Sequence, residues 1–324
     1  MSRRNTLNFL ALLFVLAGSF GCPFSVSAKS IISGYMYTDP TGVKSVPLLQ
    51  TMKPKAIGNV YLKAADIDKN GVVHEKVDGG HFYPHAWSGS SKPTFTALIN
   101  VDLNINWNSG NPSTSLTSKL SANQWTRDYT GGITVDAEFP VGVDSFDGNW
   151  IAFLTDLRIF ANNAGQDFSF YLSPKYLSPS RYTTAAQNLK DVASILGQSK
   201  TQLNRALFPV YTDTGTSVTG QTLIDAATAM KDQKNHYQWI HDISQTTTNF
   251  AEGMTLAHAA NHQAGYVPNG ASVYQYTAGE KITGNMKANL AALVGNPNSV
   301  APEPTTMLIW SMLAGLGMTF RRRR

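Results

Sequence analysis

Short apolar and aromatic runs recur along the chain, and between them lie segments in which apolar residues return every three or four positions. The runs read as strands: Ser30 to Tyr37 (SIISGYMY), Ala56 to Ile67 (AIGNVYLKAADI), Thr94 to Ile105 (TFTALINVDLNI), Gly132 to Phe139 (GITVDAEF), Phe168 to Pro174 (FSFYLSP), Arg205 to Tyr211 (RALFPVY) and Gly270 to Thr277 (GASVYQYT). Tyr237 to Ser244 (YQWIHDIS) fits a helix or a strand. The segments between carry helical spacing, as in NWIAFLTDLRIFANNAG, where Ile151, Leu154, Leu157 and Phe160 fall on one face and Gly165 supplies a stop. SRYTTAAQNLKDVASILG ends at Gly197 in the same way, SVTGQTLIDAATAMKDQ is helical, and TTNFAEGMTLAHAANHQAG closes at Gly265. Strands alternating with helices imply parallel strands joined by right-handed crossovers. About eight strands over some 270 residues predict an α/β fold, a single-domain (β/α)8 TIM barrel over 29–299. The Ser/Thr/Asn-rich segment Asn106 to Ser121 reads as a long loop.

The two ends follow a different pattern. Arg3 and Arg4 precede an apolar run from about Leu7 to Phe20, and Val26-Ser27-Ala28 offers small residues for cleavage. Residues 1–28 therefore read as a secretory signal peptide. Ser19, three residues before Cys22, stands where a lipidation signal wants a leucine-like residue. At the other end, Pro302-Glu303-Pro304 precedes an apolar run from about Met307 to Phe320, closed by Arg321 to Arg324. At about 1.5 Å per residue such a helix barely spans a hydrocarbon core of about 30 Å. The order Pro-Glu-Pro, short apolar helix, arginine cluster over 300–324 resembles the PEP-CTERM sorting signal of Gram-negative bacteria. That resemblance implies export, transient membrane insertion through the C-terminal helix, processing by an exosortase, and a final place in the cell envelope or extracellular matrix.

These ends change the meaning of the charge. The chain carries 26 basic and 21 acidic residues, yet setting aside Arg3, Arg4 and Arg321 to Arg324 leaves 20 against 21. The domain is near neutral, and no nucleic-acid partner is expected. Cys22, the only cysteine, leaves with the signal peptide, so stability rests on the core and not on disulfides.

One strand carries unusual chemistry. In Gly131-Gly132-Ile133-Thr134-Val135-Asp136-Ala137-Glu138-Phe139-Pro140, alternation puts Thr134, Asp136 and Glu138 on one face and Ile133, Val135 and Ala137 on the other. Two carboxylates on one face lie about 6 to 7 Å apart along a strand. Each disfavours ionisation of the other, so one proton can be held for a leaving oxygen. On a barrel strand Glu138 would be nearest the C-terminal mouth, where barrel enzymes place their chemistry.

This stretch resembles the fourth-strand motif of glycoside hydrolase family 18, the chitinases and endo-β-N-acetylglucosaminidases: Asp-Gly-apolar-Asp-apolar-Asp-x-Glu-aromatic-Pro. Asp136, Glu138, Gly132, Phe139 and Pro140 match it, while Gly131 and Thr134 replace its first two acids. IISGYMY with Gly34-Tyr35 resembles the first strand, NVYLKAADIDKNGVV the second strand and its turn, and FPVYTD the sixth-strand Tyr-Asp pair, here split by Thr212. The resemblance implies substrate-assisted hydrolysis of glycans containing N-acetylglucosamine, without a cofactor. Glu138 would protonate the leaving oxygen, and Asp136 would orient the 2-acetamido group. Tyr211 and Asp213 would contact that group, with Tyr35 lining the site. Tyr274 or Tyr276 would take the place of the family's last-strand Trp against the sugar. Trp107 would offer a further stacking platform. In the family the middle acid lies behind the one matched by Asp136, and Thr134 removes it. A barrel that binds extracellular polysaccharide without cleaving it is the alternative.

Two other patterns compete less well. Asp66-x-Asp68-x-Asn70-Gly71 opens like a calcium loop, but Val77 stands where the closing Glu belongs, so a turn after the second strand explains it. The pairs His81/His85 and His258/His262 lack an intervening Glu and a third ligand of matching spacing, and no metal is assigned.

Overall fold

In the computed structural model the strand-like runs pair edge to edge in chain order. The structure describes residues 32–37, 59–78, 81–82, 94–136, 147–180, 182–199, 201–210, 219–265, 271–275 and 284–295. Its long strands are β1 (Ile32–Tyr37), β2 (Asn59–Ile67), β6 (Thr94–Val101), β7 (Ile133–Asp136), β8 (Phe168–Tyr171), β9 (Arg205–Pro209), β10 (Tyr237–Asp242) and β11 (Ala271–Gln275). All pair in parallel, in the order β1-β11-β10-β9-β8-β7-β6-β2. β1 also pairs with β2, Tyr35 opposite Val60 and Met36 opposite Tyr61, which closes the sheet on itself. Outside the ring, β3 (Val73–Glu75) adds to β2 in antiparallel fashion, and β4 (Val77–Asp78) pairs with β5 (His81–Phe82).

A strand covered on both faces buries side chains on both, and most of those buried here are apolar. β8 reads Phe-Ser-Phe-Tyr with all four residues buried. One face of the sheet contributes Val60, Ile99, Val135, Phe170, Phe208 and Trp239 to the large core beneath the helices. The other face gives a separate cluster of Tyr61, Leu98, Tyr171, Leu207 and Ile240, which fills the interior of the ring.

Among the described residues helices follow six of the strands: α1 (Ser113–Ala122) and the short α2 (Trp125–Asp128) after β6, α3 (Gly148–Asn163) after β7, α4 (Ala185–Leu196) after β8, α5 (Gly220–Ala229) after β9, α6 (Thr247–Ala264) after β10 and α7 (Gly284–Gly295) after β11. Their ends use standard chemistry. Asp147 accepts from the Asn149 N–H at 2.8 Å to start α3, and Thr246 accepts from the Asn249 N–H at 3.2 Å to start α6. Gly265, left-handed at φ +70°, ends α6. Trp150, Phe153, Leu154, Leu157 and Ala161 form the buried stripe of α3.

Two expectations change. Asn106 to Ser121, read as a loop, holds a 3₁₀ turn at Trp107–Ser109 and helix α1. Leu116 and Leu120, one turn apart and fully buried, fasten α1 to α3, and Ser113 Oγ donates to Asp156 of α3 at 2.7 Å. Packing overrides the weak helix propensity of Ser and Thr. The ambiguous Tyr237 to Ser244 is settled as β10, because its neighbours β9 and β11 offer ladders on both sides. The signal peptide and the sorting tail lie outside the described residues. Among the described residues no helix is long and apolar enough to cross a membrane.

The entry to β7 depends on Gly132, whose φ is +101° and whose missing side chain leaves room for the Asp167 carbonyl. A second constraint sits on β10. His241 faces the helices, its ring 5.8 Å from that of Phe250, and burial pushes its imidazole down to about 4. Gly132→Ala is expected to destabilise the fold by about 2 to 4 kcal/mol in urea unfolding, from backbone strain plus contact with Asp167. For His241 the unfolded chain titrates near 6.5 and the folded chain near 4, so stability is retained above pH ~6.5 and falls as pH drops toward 4. The loss is on the order of 3 kcal/mol. His241→Phe should flatten that part of the stability-versus-pH curve.

Candidate active site

Strand alternation and register determine which side chains share the inner face at the carboxyl ends of the strands. Leu98, Thr134 and Ser169 stand side by side on β6, β7 and β8. Thr134 is fully buried, and its hydroxyl is hydrogen-bonded to Ser169 Oγ at 2.6 Å. One step nearer the mouth, Asp136 is opposite Asn100, and Asn100 is opposite Asp66. The three half-buried side chains form a row across β7, β6 and β2.

The row is electrically uneven. Asp66 Oδ1 lies 2.9 Å from Lys63 Nζ, and its Oδ2 lies 2.8 Å from Lys76 Nζ. Burial alone would raise the Asp66 pKa, but the bonds to Lys76 and Lys63 outweigh it and hold the carboxyl below its ordinary value. Asp66 is therefore an anion committed to two cations. On β10, Asp242 Oδ1 accepts from the Ser244 backbone N–H at 2.8 Å and from its hydroxyl at 2.5 Å, which turns the chain as it leaves the strand. Among the described residues, the C-terminal edge of the ring thus holds three carboxylates on inward positions, Asp66, Asp136 and Asp242, of which Asp66 is neutralised by lysines.

Of the residues singled out from sequence, Asp136 ends β7 with one carboxylate oxygen buried. Glu138, Tyr211 and Asp213 lie outside the described residues. Tyr274 pairs in register with Asp242 and Met36, on the inward side. Tyr35, expected to line the site, is level instead with Val273 and Val60, the face that lies under the helices, because alternation along β1 gives the inward position to Met36. Trp107 is partly buried, its ring edge-on to Trp150 at 5.1 Å and tilted to Phe153 at 6.0 Å. It follows β6, and Trp150 opens the helix after β7, so this aromatic group flanks the same rim as Asp136. The structure brings Asp136 and the Trp107 segment to neighbouring strand ends.

The replaced acids have physical explanations. A side chain at position 131 would start 2.5 Å from Thr96 Oγ1 and 2.9 Å from the Asn59 amide, which are bonded to each other at 2.5 Å. An acid there would require Thr96 and Asn59 to shift and part. At 134, the hydroxyl pairing with Ser169 is neutral and complete without a second carboxylate. The calcium-like stretch is a turn: Asp68 Oδ1 accepts from the Asn70 and Val72 N–H groups at 2.9 and 3.0 Å, and Gly71 takes φ +78°. His258 and His262 are exposed on α6. Among the described residues no three His, Cys, Asp or Glu side chains gather in a metal-binding group.

Sequence reading passed over Asn100, Lys63, Lys76 and Asp242. The alternation of Thr96, Leu98 and Asn100 along the third long strand marks their common face. That Asn100 falls level with Asp136 depends on the stagger between strands, which no local pattern encodes.

The chain matches no protein-family model and no curated protein. Among solved structures it resembles a GH18 chitinase from Pseudoalteromonas aurantia, with a TM-score of 0.53 and 14% identity over 81% of this chain and 99% of that one. A chitinase from Chromobacterium violaceum ATCC 12472 gives 0.51 and 12% over 82% and 100%. The Bacillus cereus spore cortex-lytic enzyme SleL gives 0.51 and 10% over 84% and 75%. At these identities the likeness is one of fold: the chain has an α/β fold resembling that of the GH18 chitinases.

Proposed function

We propose that the protein is an exported (β/α)8 glycoside hydrolase acting on glycans that contain N-acetylglucosamine. The observation that carries this reading is Asp136, half-buried on an inward position at the carboxyl end of β7, in a fold like that of GH18 chitinases. If the alternation in the sequence continues past Asp136, Glu138 would share its face one step closer to the mouth. Glu138 gives its proton to the glycosidic oxygen as the bond to the anomeric carbon breaks. The acetamido carbonyl oxygen of the same sugar attacks that carbon from the opposite side and closes a five-membered ring. Water then reopens the ring at the anomeric carbon and returns a proton to Glu138, so configuration is retained. Asp136 accepts from the acetamido N–H, which holds the carbonyl in line and makes its oxygen a better nucleophile. Tyr211, Asp213 and Tyr274 would contact the sugar, with Trp107 as an outer platform.

A second reading is favoured by the neutral surroundings of Thr134. With Ser169 and no acid behind Asp136, the ring would hold a polysaccharide without cleaving it.

The purified protein, offered chitin oligosaccharides, N-glycan cores and peptidoglycan fragments, is expected to release reducing ends. Glu138→Gln should lower kcat by about 10² to 10⁴-fold while leaving binding in place. Binding without turnover in both forms would instead establish the sugar-binding reading.

Export rests on 1–28 and 300–324, which we read as a signal peptide and a PEP-CTERM tail handled by the secretion machinery and an exosortase. The mature domain is then 29–299, placed in the cell envelope or matrix. Mass spectrometry of the protein from its native host should find a new C-terminus near Pro302-Glu303-Pro304. An intact Arg324 in the mature protein would exclude the processing.

A further inference from the structure

Asn100 is in register between two carboxylates, Asp66 on β2 and Asp136 on β7. Neighbouring strands lie about 4.8 Å apart, so side chains level with one another on one face meet. Asp66 has each of its oxygens on a lysine and needs nothing from Asn100. The Asn100 Oδ1 is buried, with no hydrogen-bond partner among the described residues. Its neighbours in register on that face are the two carboxylates, which accept hydrogen bonds and do not donate them. Turning the amide by 180° puts its two N–H donors there, and bonding alone distinguishes the two ends of an amide. Asp136 is the carboxylate on which such a donor is useful. Behind it on the same strand, Thr134 is bonded to Ser169.

We propose that Asn100 is the positioning residue of Asp136, its amide nitrogen donating to the carboxylate and holding it ionised and aimed at the mouth. Asp66, fixed by Lys63 and Lys76, forms the far end of the row. The proposal rests on the reading of Asp136 as the group that orients the acetamido substituent, and it names what keeps Asp136 in the accepting state. Support comes sideways across the sheet, from β6 and β2, where an acid one step down the same strand is missing. Two lysines against one carboxylate also leave a net positive charge two strands from Asp136, which favours its anion. Among the described residues the other ionisable groups on the inner face are Tyr61 on β2, Tyr171 on β8, Arg205 deeper on β9, Asp242 across the ring on β10 and, by register, Tyr274 on β11. Helix α3 packs on the opposite face of β7 and presents none to this side.

The test is a carbon-13 NMR titration of the full chain labelled at its Asp carboxyls, with Asp136→Asn to assign the signal. Asn100→Ala is expected to raise the Asp136 midpoint by about one pH unit, and Asn100→Asp by more, because a like charge then replaces the donor. Asn100→Asp is nearly isosteric and serves if the alanine variant does not fold. A midpoint unmoved in the folded variants overturns the proposal. Where the protein hydrolyses acetamido sugars, the acid limb of kcat should move with the midpoint. A moved midpoint in a protein without turnover would keep the role of Asn100 and remove the hydrolytic reading.

Discussion

Closure of the parallel sheet is the constraint on which the rest of the molecule depends. An open edge would leave a row of unpaired N–H and C=O groups, and pairing β1 with both β2 and β11 removes it. The same closure gives every strand two buried faces, one under the helices and one inside the ring. An inward position is then best filled by an apolar group or by a polar one with a partner close by, since an unpaired one costs about 1 to 3 kcal/mol. Tyr61, Leu98, Tyr171, Leu207 and Ile240 meet this by being apolar, and Thr134 and Ser169 by bonding each other.

From that constraint follows the character of the mouth. Water reaches the carboxyl ends of the strands, and the carboxylates of the inner face gather there. Asp66 is secured by two lysines, Asp242 by the turn that leaves β10, and Asp136 stands between the amide of Asn100 and the opening. Such a rim differs from a strand of stacked acids. In a column along one strand each carboxylate raises its neighbour's pKa, whereas in a row across strands lysines and amides intervene and favour the ionised form. The chemistry proposed for Asp136 needs that form.

Much of the architecture was legible in the sequence because burial on two faces leaves a plain mark. Runs such as RALFPVY have no polar face to show, and helices between them carry a stripe and a glycine stop. The segment holding Ser113 to Ala122 escaped because its signal is only Leu116 and Leu120 among Ser and Thr, and its helix exists by docking on α3. The stretch at Tyr237 gave no decision because a short apolar run fits either element until its neighbours are known. At the site, the alternation of Thr134 and Asp136 was visible in the chain, and so was the family likeness around them. The partners of Asp136 were not.

The sequence by itself therefore determined the local elements, their order, the parallel α/β class, and the face on which Asp136 belongs. These depend on periodicity and turn chemistry within a few residues. Only the tertiary structure decided that Asn100 and Asp66 stand level with Asp136, that Ser169 satisfies Thr134, and that Thr96 and Asn59 fill the space beside Gly131. Those facts depend on the stagger between strands distant in sequence, and that stagger is set by packing of the whole ring, to which each strand contributes only a part.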